Sequence, residues 1–417
     1  MQSGPNAPVT VRPVAAAGPW AENLFTVGVT GTNGKTSTTL LIAEVLRSTG
    51  TRVAVETTIG AAHESGQFRP RNESRFFDRM QAAARLGIAR LAIEVTSEAL
   101  AGGWAKRWRF DLGVFTNLSQ DHLDAHGSFE HYLASKAQLF VHLGPGRHAI
   151  LNAADPAALL LDQVIPSDVT RLWYASPKRG PFLIEPDLAV REIVTTAEGT
   201  EISLAPSRLA EALGGHLRTP LVGAVFAENA LAAACVGLAL QMEPSKVREG
   251  IAALGRVPGR FEIVARAPVV VVDYAHTPDA LERTCQAARE VAISLGSSRV
   301  LVVFGAGGNR DPSKREPMGE AVGANADFAL VTSDNPRRED PTAIANAVAT
   351  GCRRRSRFEV IVELDRRRAI ERAIELARPN DIVVICGKGH ETGQIIQDET
   401  IPFDDAEVAR QILGIEA

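Results

Sequence analysis

Apolar runs of strand length alternate with helix-spaced apolar positions over the first part of the chain. Strand-length runs occur at Phe25–Thr30, Arg52–Glu56, Arg90–Thr96 and Leu112–Thr116, and apolar residues recur at helical spacing over Thr36–Ser48. Strands that alternate with helices are typical of right-handed βαβ units and of a mainly parallel sheet. The pattern therefore predicts an α/β fold whose sheet is built from these runs.

The alternation restarts after Val257–Phe261, where Pro258 and Gly259 interrupt the pattern. The predicted strands there are Val269–Asp273, Arg299–Phe304, Phe328–Thr332, Glu359–Leu364 and Asp381–Cys386, and the predicted helices are Asp279–Ser294, Ser313–Ala324, Pro341–Arg355, Arg366–Ala377 and Asp405–Leu413. Such a series is typical of a doubly wound, Rossmann-like domain. Between the two series, β-branched runs flank Glu198-Gly199-Thr200, which predicts a hairpin at a sheet edge.

These patterns divide the chain into three parts. Residues 1–22 are rich in Pro, Ala and Gly and are expected to form a flexible arm. Residues 23–262 are expected to form a central domain, and residues 263–417 a smaller C-terminal domain. With 417 residues, the chain is long enough to bury more than one core.

Composition and charge exclude several classes of protein. Hydrophobic residues make up 45% and charged residues 23%, as in ordinary soluble domains, and the net charge of −4 gives no electrostatic reason to expect nucleic acid or a membrane as partner. Neither a signal-peptide pattern nor an apolar run of membrane-spanning length is present, so we expect a cytoplasmic protein. The four cysteines are far apart, which argues against a disulfide framework or a zinc site.

A glycine-containing segment, Gly31-Thr32-Asn33-Gly34-Lys35-Thr36, separates the first predicted strand from the first predicted helix. Backbone N–H groups of such a loop can approach phosphate oxygens, and the following helix adds its positive N-terminal end. Lys35 would then bridge the β- and γ-phosphates of a nucleotide, and the Thr36 hydroxyl would reach Mg²⁺. The full Walker A pattern has glycine where this chain has Val29, so the loop is a shortened variant. A tight turn with an incidental lysine is the alternative.

This loop is one of eight segments that resemble, in the same order, the motifs of the Mur ligase family, and of its MurE-type members in particular. The other segments are EVTSEAL (94–100), FTNLSQDHLDAHGSFEHYLASKAQLF (115–140), VPGRFE (257–262), DYAHTPDAL (273–281), GAGGNRD (305–311), SDNPRRED (333–340) and GKGHE (387–391). Members of the family form amide bonds to amino acids during cell-wall synthesis. The resemblance covers residues 25–410 and implies a P-loop ATP-binding central domain in an ADP-forming ligase that works through an acyl phosphate.

The resemblance assigns the ATP and metal chemistry to particular residues. The implied catalytic residues are Lys35, Glu94, His122 and Lys136. Thr36, Glu94 and His122 would hold Mg²⁺, and a carbamate on Lys136 would support the second of two Mg²⁺ ions. The implied nucleotide-binding residues are Gly31, Thr32, Asn33, Gly34, Lys35, Thr36, Ser37, Asn117, Asn229, Arg260, Asp273 and His276. An ordinary surface position is the alternative for Glu94 and His122, and a solvated helix lysine for Lys136.

The C-terminal motifs imply where the amine substrate binds. In Asp334-Asn335-Pro336-Arg337, Arg337 would grip a carboxylate and Asn335 would supply neutral hydrogen bonds. Gly387 and Glu391 would hold the distal ammonium of meso-diaminopimelate or a close analogue. The implied substrate residues are Arg310, Asp334, Asn335, Arg337, Gly387 and Glu391. A helix cap is the alternative for the Asp334 segment, and a structural salt bridge for Arg310.

On the acyl-donor side the chain departs from the family pattern. Glu98 stands where the family has histidine, Arg71-Asn72-Glu73-Ser74 where it has a Thr-Thr-Pro contact, and Trp104 where a basic residue is expected. Because only a short arm precedes the loop, we also expect the family's uridine-binding N-terminal domain to be missing. We therefore expect a donor other than UDP-muramyl peptide, such as a small carboxylic acid, a carrier-linked acyl group or a peptide intermediate.

Three alternatives stay open at this point. One is a true UDP-MurNAc-tripeptide synthetase that works with a separate uridine-binding partner. Another is a catalytically inactive nucleotide-binding homologue, against which the retained Lys35, Glu94 and Lys136 argue. The third is a folylpolyglutamate-synthetase-like enzyme, to which SDNPRRED fits poorly. The expected ligands are ATP, two Mg²⁺ ions, a carboxylate and an amino acid, and the expected macromolecular partner is a carrier protein or a separate donor-binding domain.

Overall fold

The computed structural model describes residues 18–62, 75–119, 128–176, 182–296 and 299–415. The chain packs as two units. The first ends at Ala189 and also takes in Leu231–Gly250, and the second comprises Val190–Ala230 and the chain from Ile251 onward. Each contains parallel strands and helices, which confirms the predicted α/β class. The predicted domain bounds at 22 and 262 stay a prediction.

The elements up to residue 176 belong to the first unit. Its strands are β1 (Phe25–Thr30), β2 (Val53–Thr57), β3 (Gly60–Ala62), β4 (Arg90–Glu94), β5 (Leu112–Phe115), β6 (His148–Asn152) and β7 (Thr170–Ala175). Its helices are α1 (Lys35–Arg47), α2 (Phe76–Arg85), α3 (Ser97–Ala101), α4 (Phe129–Val141) and α5 (Pro156–Asp162).

The sheet of the first unit has the order β7-β6-β5-β1-β4-β2-β3, and only β3 runs antiparallel to its neighbour among these described strands. Strand β1 lies between β4 and β5, with Val29 opposite Glu94 and Thr30 opposite Phe115. The carboxyl ends of these three strands therefore meet at one edge of the sheet, which is where α/β sheets place their ligands. The segment after β1, the side chain of Glu94 and the segment after β5 all start from this edge.

Helix α1 packs most of its surface inside the first unit. Leu41, Ile42, Val45 and Leu46 are fully buried, and the threonines of its first two turns are buried as well. A helix buried on this scale is held in place by its neighbours, so its first turn offers a fixed N-terminal end at the sheet edge.

From residue 188 onward the chain adds a three-stranded antiparallel meander and a second sheet. The strands are β8 (Leu188–Thr196), β9 (Gly199–Leu204), β10 (His216–Thr219), β11 (Glu262–Arg266), β12 (Val269–Asp273), β13 (Val300–Phe304), β14 (Phe328–Val331), β15 (Val360–Val362), β16 (Ile382–Cys386), β17 (Gly393–Ile396) and β18 (Glu399–Pro402). The helices are α6 (Arg208–Ala212), α7 (Ala224–Ala239), α8 (Pro244–Ala253), α9 (Pro278–Ser294), α10 (Arg315–Asn325), α11 (Pro341–Arg355), α12 (Arg366–Leu376) and α13 (Asp405–Leu413). The predicted hairpin exists as β8–β9, but β10 pairs with β9 on its other side.

The second sheet has the order β11-β12-β16-β13-β14-β15, in which only β11 is antiparallel among the described strands. Its five parallel strands are the five that the sequence predicts. The prediction missed β11 and the two-stranded ribbon β17–β18. Both lie outside the buried centre of the sheet, so their residues lack the continuous apolar run that marks a buried parallel strand.

Among the described residues, no helix combines the length and the apolar character that crossing a bilayer would demand.

Candidate active site

The segment after β1 forms a tight loop that is held by the segment after β5. Thr32 N donates to Asn117 O over 2.7 Å, and Asn33 N donates to Asn117 Oδ1 over 2.9 Å. Asn117 Nδ2 returns a 2.9 Å bond to Asn33 O, which also accepts from Thr116 Oγ1 over 2.7 Å. Asn117 was expected to lie near the phosphates, and here both ends of its amide hold the loop backbone.

Gly31 is where this loop approaches the neighbouring strand most closely. Its φ of 151° is uncommon for other residues, and a Cβ atom at this position would overlap Thr116 Oγ1. Gly34 has a φ of 81° and caps α1 without a side-chain bond. The N-cap residue therefore supplies no side-chain acceptor to the N–H groups of the first turn of α1, an arrangement that suits an anion.

Lys35 is the first residue of α1, and its Nζ donates to Thr32 O over 2.8 Å. The ammonium group thus lies against the loop that the sequence assigns to phosphate. Ser37 lies in the same turn and is buried.

Thr36 and Glu94 meet at the sheet edge. Glu94 Oε2 accepts a 2.8 Å bond from Thr36 Oγ1, a 3.0 Å bond from Thr58 N and a 3.1 Å bond from Thr58 Oγ1. Glu94 and Thr36 are both buried, so Glu94 is not the ordinary surface group of the alternative interpretation. Thr58 is a site residue that sequence reasoning missed, although its place after the end of a parallel strand was a usable signal.

Lys136, on α4, reaches the same loop from the other side. Its side chain is buried, its Nζ donates a 2.7 Å bond to Gly31 O, and the Nζ lies 4.3 Å from the centre of the Tyr132 ring. Lys136 is therefore brought to the phosphate loop and is not a solvated helix lysine.

The donor set at this edge fits Mg²⁺. The ion prefers hard oxygen ligands and is usually held by one or two carboxylates together with substrate phosphates and water. Thr36 and Glu94 supply a hydroxyl and a carboxylate side by side. The described residues contain no cluster of three or more histidine, cysteine or acidic side chains that could hold a metal by themselves. Such a site would be completed by the phosphates of the nucleotide.

The second unit contains the residues near the DYAH motif that were predicted to bind the nucleotide. Arg260 Cζ lies 4.4 Å from the centre of the Tyr274 ring, and the His276 ring packs edge-on to Tyr274 at 4.6 Å. His390 lies on the same ring at 5.3 Å. Burial raises the pKa of Tyr274, with Glu391 adding to the shift. Tyr274 is thus the residue around which Arg260 and His276 are arranged, and sequence reasoning missed it although it lies within the motif.

Asp273 has an internal role in this arrangement. Its carboxylate accepts bonds from Phe261 N at 2.7 Å, Ala275 N at 2.8 Å and Thr284 Oγ1 at 3.0 Å. Burial raises the pKa of Asp273, and Arg260 together with these hydrogen bonds opposes the shift. The carboxylate therefore organises the backbone on which Arg260 and His276 lie.

Asn229, on α7, is buried, and its Nδ2 has no hydrogen-bond partner among the described residues. A buried amide donor without a partner is costly, so it is a good candidate for a ligand acceptor. The assignment of Asn229 to nucleotide binding stays a prediction.

The amine-substrate residues of the second unit form a bonded cluster. Asn335 Nδ2 donates to Glu391 Oε2 over 2.9 Å, and Lys388 Nζ donates to both Asn335 Oδ1 and Glu391 Oε2 over 3.1 Å. Asn335 Oδ1 also accepts from Ile395 N over 2.9 Å. The two motifs SDNPRRED and GKGHE are thus joined through side chains, as the assignment of both to one substrate requires.

Arg337 points back over the glycine-rich loop after β13. Its backbone φ is 51°, and its Nη1 donates to Gly308 O over 2.8 Å and to Asn335 O over 3.4 Å. Arg310 lies exposed on the same loop. Two guanidinium groups therefore border the loop, which suits recognition of a carboxylate.

Asp334 is packed against the GKGHE segment. Gly387 has a φ of 116°, and a Cβ there would overlap Asp334 Oδ2, so only glycine allows this approach. Burial raises the pKa of Asp334, while Arg366 and Lys388 lower it. The cluster therefore requires glycine at position 387.

Behind the cluster lies a buried ion pair that sequence reasoning missed. Arg366 donates two 2.7 Å bonds to Asp405, a 2.8 Å bond to Cys386 O and a 3.4 Å bond to Ser333 O. Ser333 and Cys386 are the residues from which the two substrate segments start. Arg366 therefore fixes the spacing between those segments.

Several predicted residues fall outside this description. His122 and the segment Arg71–Ser74 lie outside the described residues. Glu98 is exposed on α3. Trp104 packs on Phe76 with ring centres 4.2 Å apart, in an aromatic cluster that also contains Trp108. Trp104, which stands where a basic residue was expected, is thus packed in a cluster of aromatic side chains.

Comparison with known proteins covers most of the chain. The family model described as Mur ligase middle domain matches residues 29–237, and the model described as Mur ligase, glutamate ligase domain matches residues 259–389. UDP-N-acetylmuramoyl-L-alanyl-D-glutamate--2,6-diaminopimelate ligase of Solibacter usitatus is 42% identical over 401 residues, which cover 94% of this chain and 78% of that protein.

Solved structures agree in fold. A structure of a UDP-N-acetylmuramoyl-L-alanyl-D-glutamate--2,6-diaminopimelate ligase is 31% identical, with a TM-score of 0.65 over 94% of this chain and 79% of that one. Folylpolyglutamate synthase of Mycobacterium tuberculosis has a TM-score of 0.69 over 95% and 92% of the two chains, but at 20% identity this likeness extends to the fold alone.

Proposed function

Because this chain belongs to the Mur ligase family of ATP-dependent, ADP-forming amide ligases, we propose that it joins 2,6-diaminopimelate to the carboxylate of UDP-N-acetylmuramoyl-L-alanyl-D-glutamate. The observation that carries the proposal is the bonded cluster of Asn335, Lys388 and Glu391 beside Arg337. It offers a carboxylate for an ammonium group and a guanidinium for a carboxylate, which are the two groups at the distal end of diaminopimelate. The names of the 36–42% identical relatives support the same substrate pair.

In the first step the donor carboxylate attacks the γ-phosphate of ATP, and an acyl phosphate and ADP are formed. In this proposal Lys35 neutralises charge on the β- and γ-phosphates, and the N–H groups at the start of α1 bind phosphate oxygens; the position of Lys35 as the first residue of α1 supports it. Thr36 and Glu94 would hold Mg²⁺, which when bound would neutralise phosphate charge further. We propose that Lys136, as a carbamate, gives this edge a second anionic ligand.

In the second step the neutral amine attacks the acyl carbon and the C–N bond forms. The acyl C–O bond to phosphate then breaks, phosphate leaves, and the nitrogen loses a proton to the phosphate or to water. Glu391, anchored by Asn335, binds the distal ammonium, and Arg337 binds the distal carboxylate, so that the reacting amine is presented from a fixed side chain. Arg310 adds a second guanidinium at the mouth of this loop.

The expectation of an unusual acyl donor gains no support from the relatives, which are named for the UDP-muramyl dipeptide. The same holds for a carrier protein or a separate donor-binding partner. We therefore propose the UDP-muramyl dipeptide as donor, and we propose that Glu98 and Trp104 lie outside its contacts.

The test is phosphate release from ATP and Mg²⁺ by the full chain, with meso-diaminopimelate, L-lysine or D-glutamate, and with or without UDP-N-acetylmuramoyl-L-alanyl-D-glutamate. Release that needs both the UDP-dipeptide and meso-diaminopimelate supports the proposal. Release with meso-diaminopimelate that is equal with and without the UDP-dipeptide would reject the proposed donor. Equal release with L-lysine would reject the role of Arg337.

A further inference from the structure

Lys388 is a lysine whose entire side chain is inside the protein. Its exposure is 0%, and its Nζ donates to Asn335 Oδ1 and to Glu391 Oε2, both over 3.1 Å. Burying an ammonium group is costly unless the group is paired, and here both acceptors are residues of the amine site. The position of Lys388 is therefore tied to the substrate residues and not to the sheet behind them.

Lys388 and Asn335 both donate a hydrogen bond to the same oxygen of Glu391. Oε2 accepts from Asn335 Nδ2 over 2.9 Å and from Lys388 Nζ over 3.1 Å, whereas Oε1 has no hydrogen bond to the described residues. The Glu391 side chain keeps 34% of its surface exposed. The carboxylate is thus anchored by one oxygen and presents the other outward.

Charged groups of both signs lie around the cluster. The buried pair of Arg366 and Asp405 is neutral by itself. Asp334 and Glu391 carry negative charge when ionised, Lys388 supplies one positive charge, and Arg337 adds a second beside Asn335. Asp334 is buried whereas Glu391 stays partly exposed, so Glu391 is the carboxylate of the cluster that a substrate ammonium can reach.

We propose that Lys388 is the positioning residue that sets the Glu391 carboxylate to receive the distal ammonium of the amine substrate. It fixes Oε2 of Glu391, leaves Oε1 as the acceptor for the substrate ammonium, and holds Asn335 in the orientation that anchors Glu391. This inference rests on the proposed function, because it specifies how the diaminopimelate site is set.

The experiment is a double-mutant cycle on the full chain. K388M, E391Q and the double variant are compared with the wild type by steady-state phosphate release with the UDP-dipeptide and meso-diaminopimelate. K246M is the matched control, because Lys246 forms the same i,i+3 pair with Glu249 but on the exposed surface. K246M should leave every constant unchanged.

If Lys388 acts through Glu391, K388M raises the KM for meso-diaminopimelate by about tenfold or more and leaves the KM for ATP within about twofold. The double variant should then be within about twofold of E391Q, because the single effects are not additive when residues work as one unit. Additive effects, or an equal rise in both KM values, would overturn the role of Lys388.

Thermal unfolding of each variant separates positioning from loss of the fold. If K388M unfolds below the assay temperature, K388Q takes its place in the cycle, since its amide can still donate a hydrogen bond without the charge. A wild type that is silent with meso-diaminopimelate overturns the proposed function and this inference with it. An active wild type with additive variants overturns the inference alone.

Discussion

Thr36 Oγ1 donates a 2.8 Å hydrogen bond to Glu94 Oε2, and so joins the first turn of α1 to the end of β4. The two residues are 58 positions apart and meet only because β1 and β4 are neighbours in the sheet. The same pair is the donor set that fits Mg²⁺, so metal dependence is the property that this contact should control.

We expect T36V to raise the Mg²⁺ concentration for half-maximal phosphate release by about 10- to 100-fold, because a metal contact and an anchor of Glu94 are lost together. T39V is the matched control, since Thr39 Oγ1 donates to the backbone Lys35 O of the same helix and to no other group in the described part of the chain. The measurement is a Mg²⁺ titration of both variants. A normal Mg²⁺ requirement in T36V would reject Thr36 as a metal ligand.

We expect K35A to lower phosphate release by about 10³-fold or more, because an ammonium group that stabilises developing charge in a dry site is difficult to replace. Its Nζ contact with Thr32 O is local, so the fold should survive. Turnover and circular dichroism are measured on the same preparation. Retained turnover would contradict the role given to Lys35.

We expect R337A to raise the KM for meso-diaminopimelate by about 10- to 100-fold, the cost of one charge-assisted hydrogen bond, and to leave the KM for ATP nearly unchanged. R338A is the control, because Arg338 is the next residue and pairs with Asp398 on the exposed surface. The readout is the pair of KM values for each variant. If both KM values rise equally in R337A, the residue does not bind the amine substrate.

Stability should depend on pH through Asp334. Burial raises the pKa of Asp334 above its value in the unfolded chain, so the folded state holds the proton more tightly. The stabilisation that protonated Asp334 gives to the folded state is therefore present at low pH, and it is lost as the pH rises through the pKa of Asp334 in the folded state. Urea titrations give the free energy of unfolding at each pH. We expect it to fall less between pH 4 and pH 7 in D334N than in the wild type. D398N, at an exposed position, should follow the wild type.

Buried elements were the easiest to predict from the sequence. Val269–Asp273 and Pro341–Arg355 have the predicted bounds because the strand is a continuous apolar run and Asp340 caps the helix. The strand Glu262–Arg266 was missed, since it is a half-buried edge strand with a mixed pattern.

Within the candidate site, the sequence predicted the residues that lie inside motifs occurring in the same order as those of the family. Lys136 illustrates the limit: the motif indicates a functional lysine, but only the fold shows that its Nζ bonds to Gly31 O. Thr58 and Arg366 were not found, because their roles depend on which strand lies beside which. Which strands become neighbours depends on how the elements of the whole unit pack together, and no single segment of the sequence determines it.

The close approach of Gly31 to Thr116 has a consequence for how the nucleotide loop comes into being. The loop backbone is held by Asn117, 84 positions beyond Asn33. A peptide that spans β1 and α1 alone would therefore lack the restraint that shapes the loop. Because distant segments meet late when a chain folds, affinity for a nucleotide should arise only after β5 has joined the sheet. Nucleotide binding would therefore indicate that this unit has finished folding.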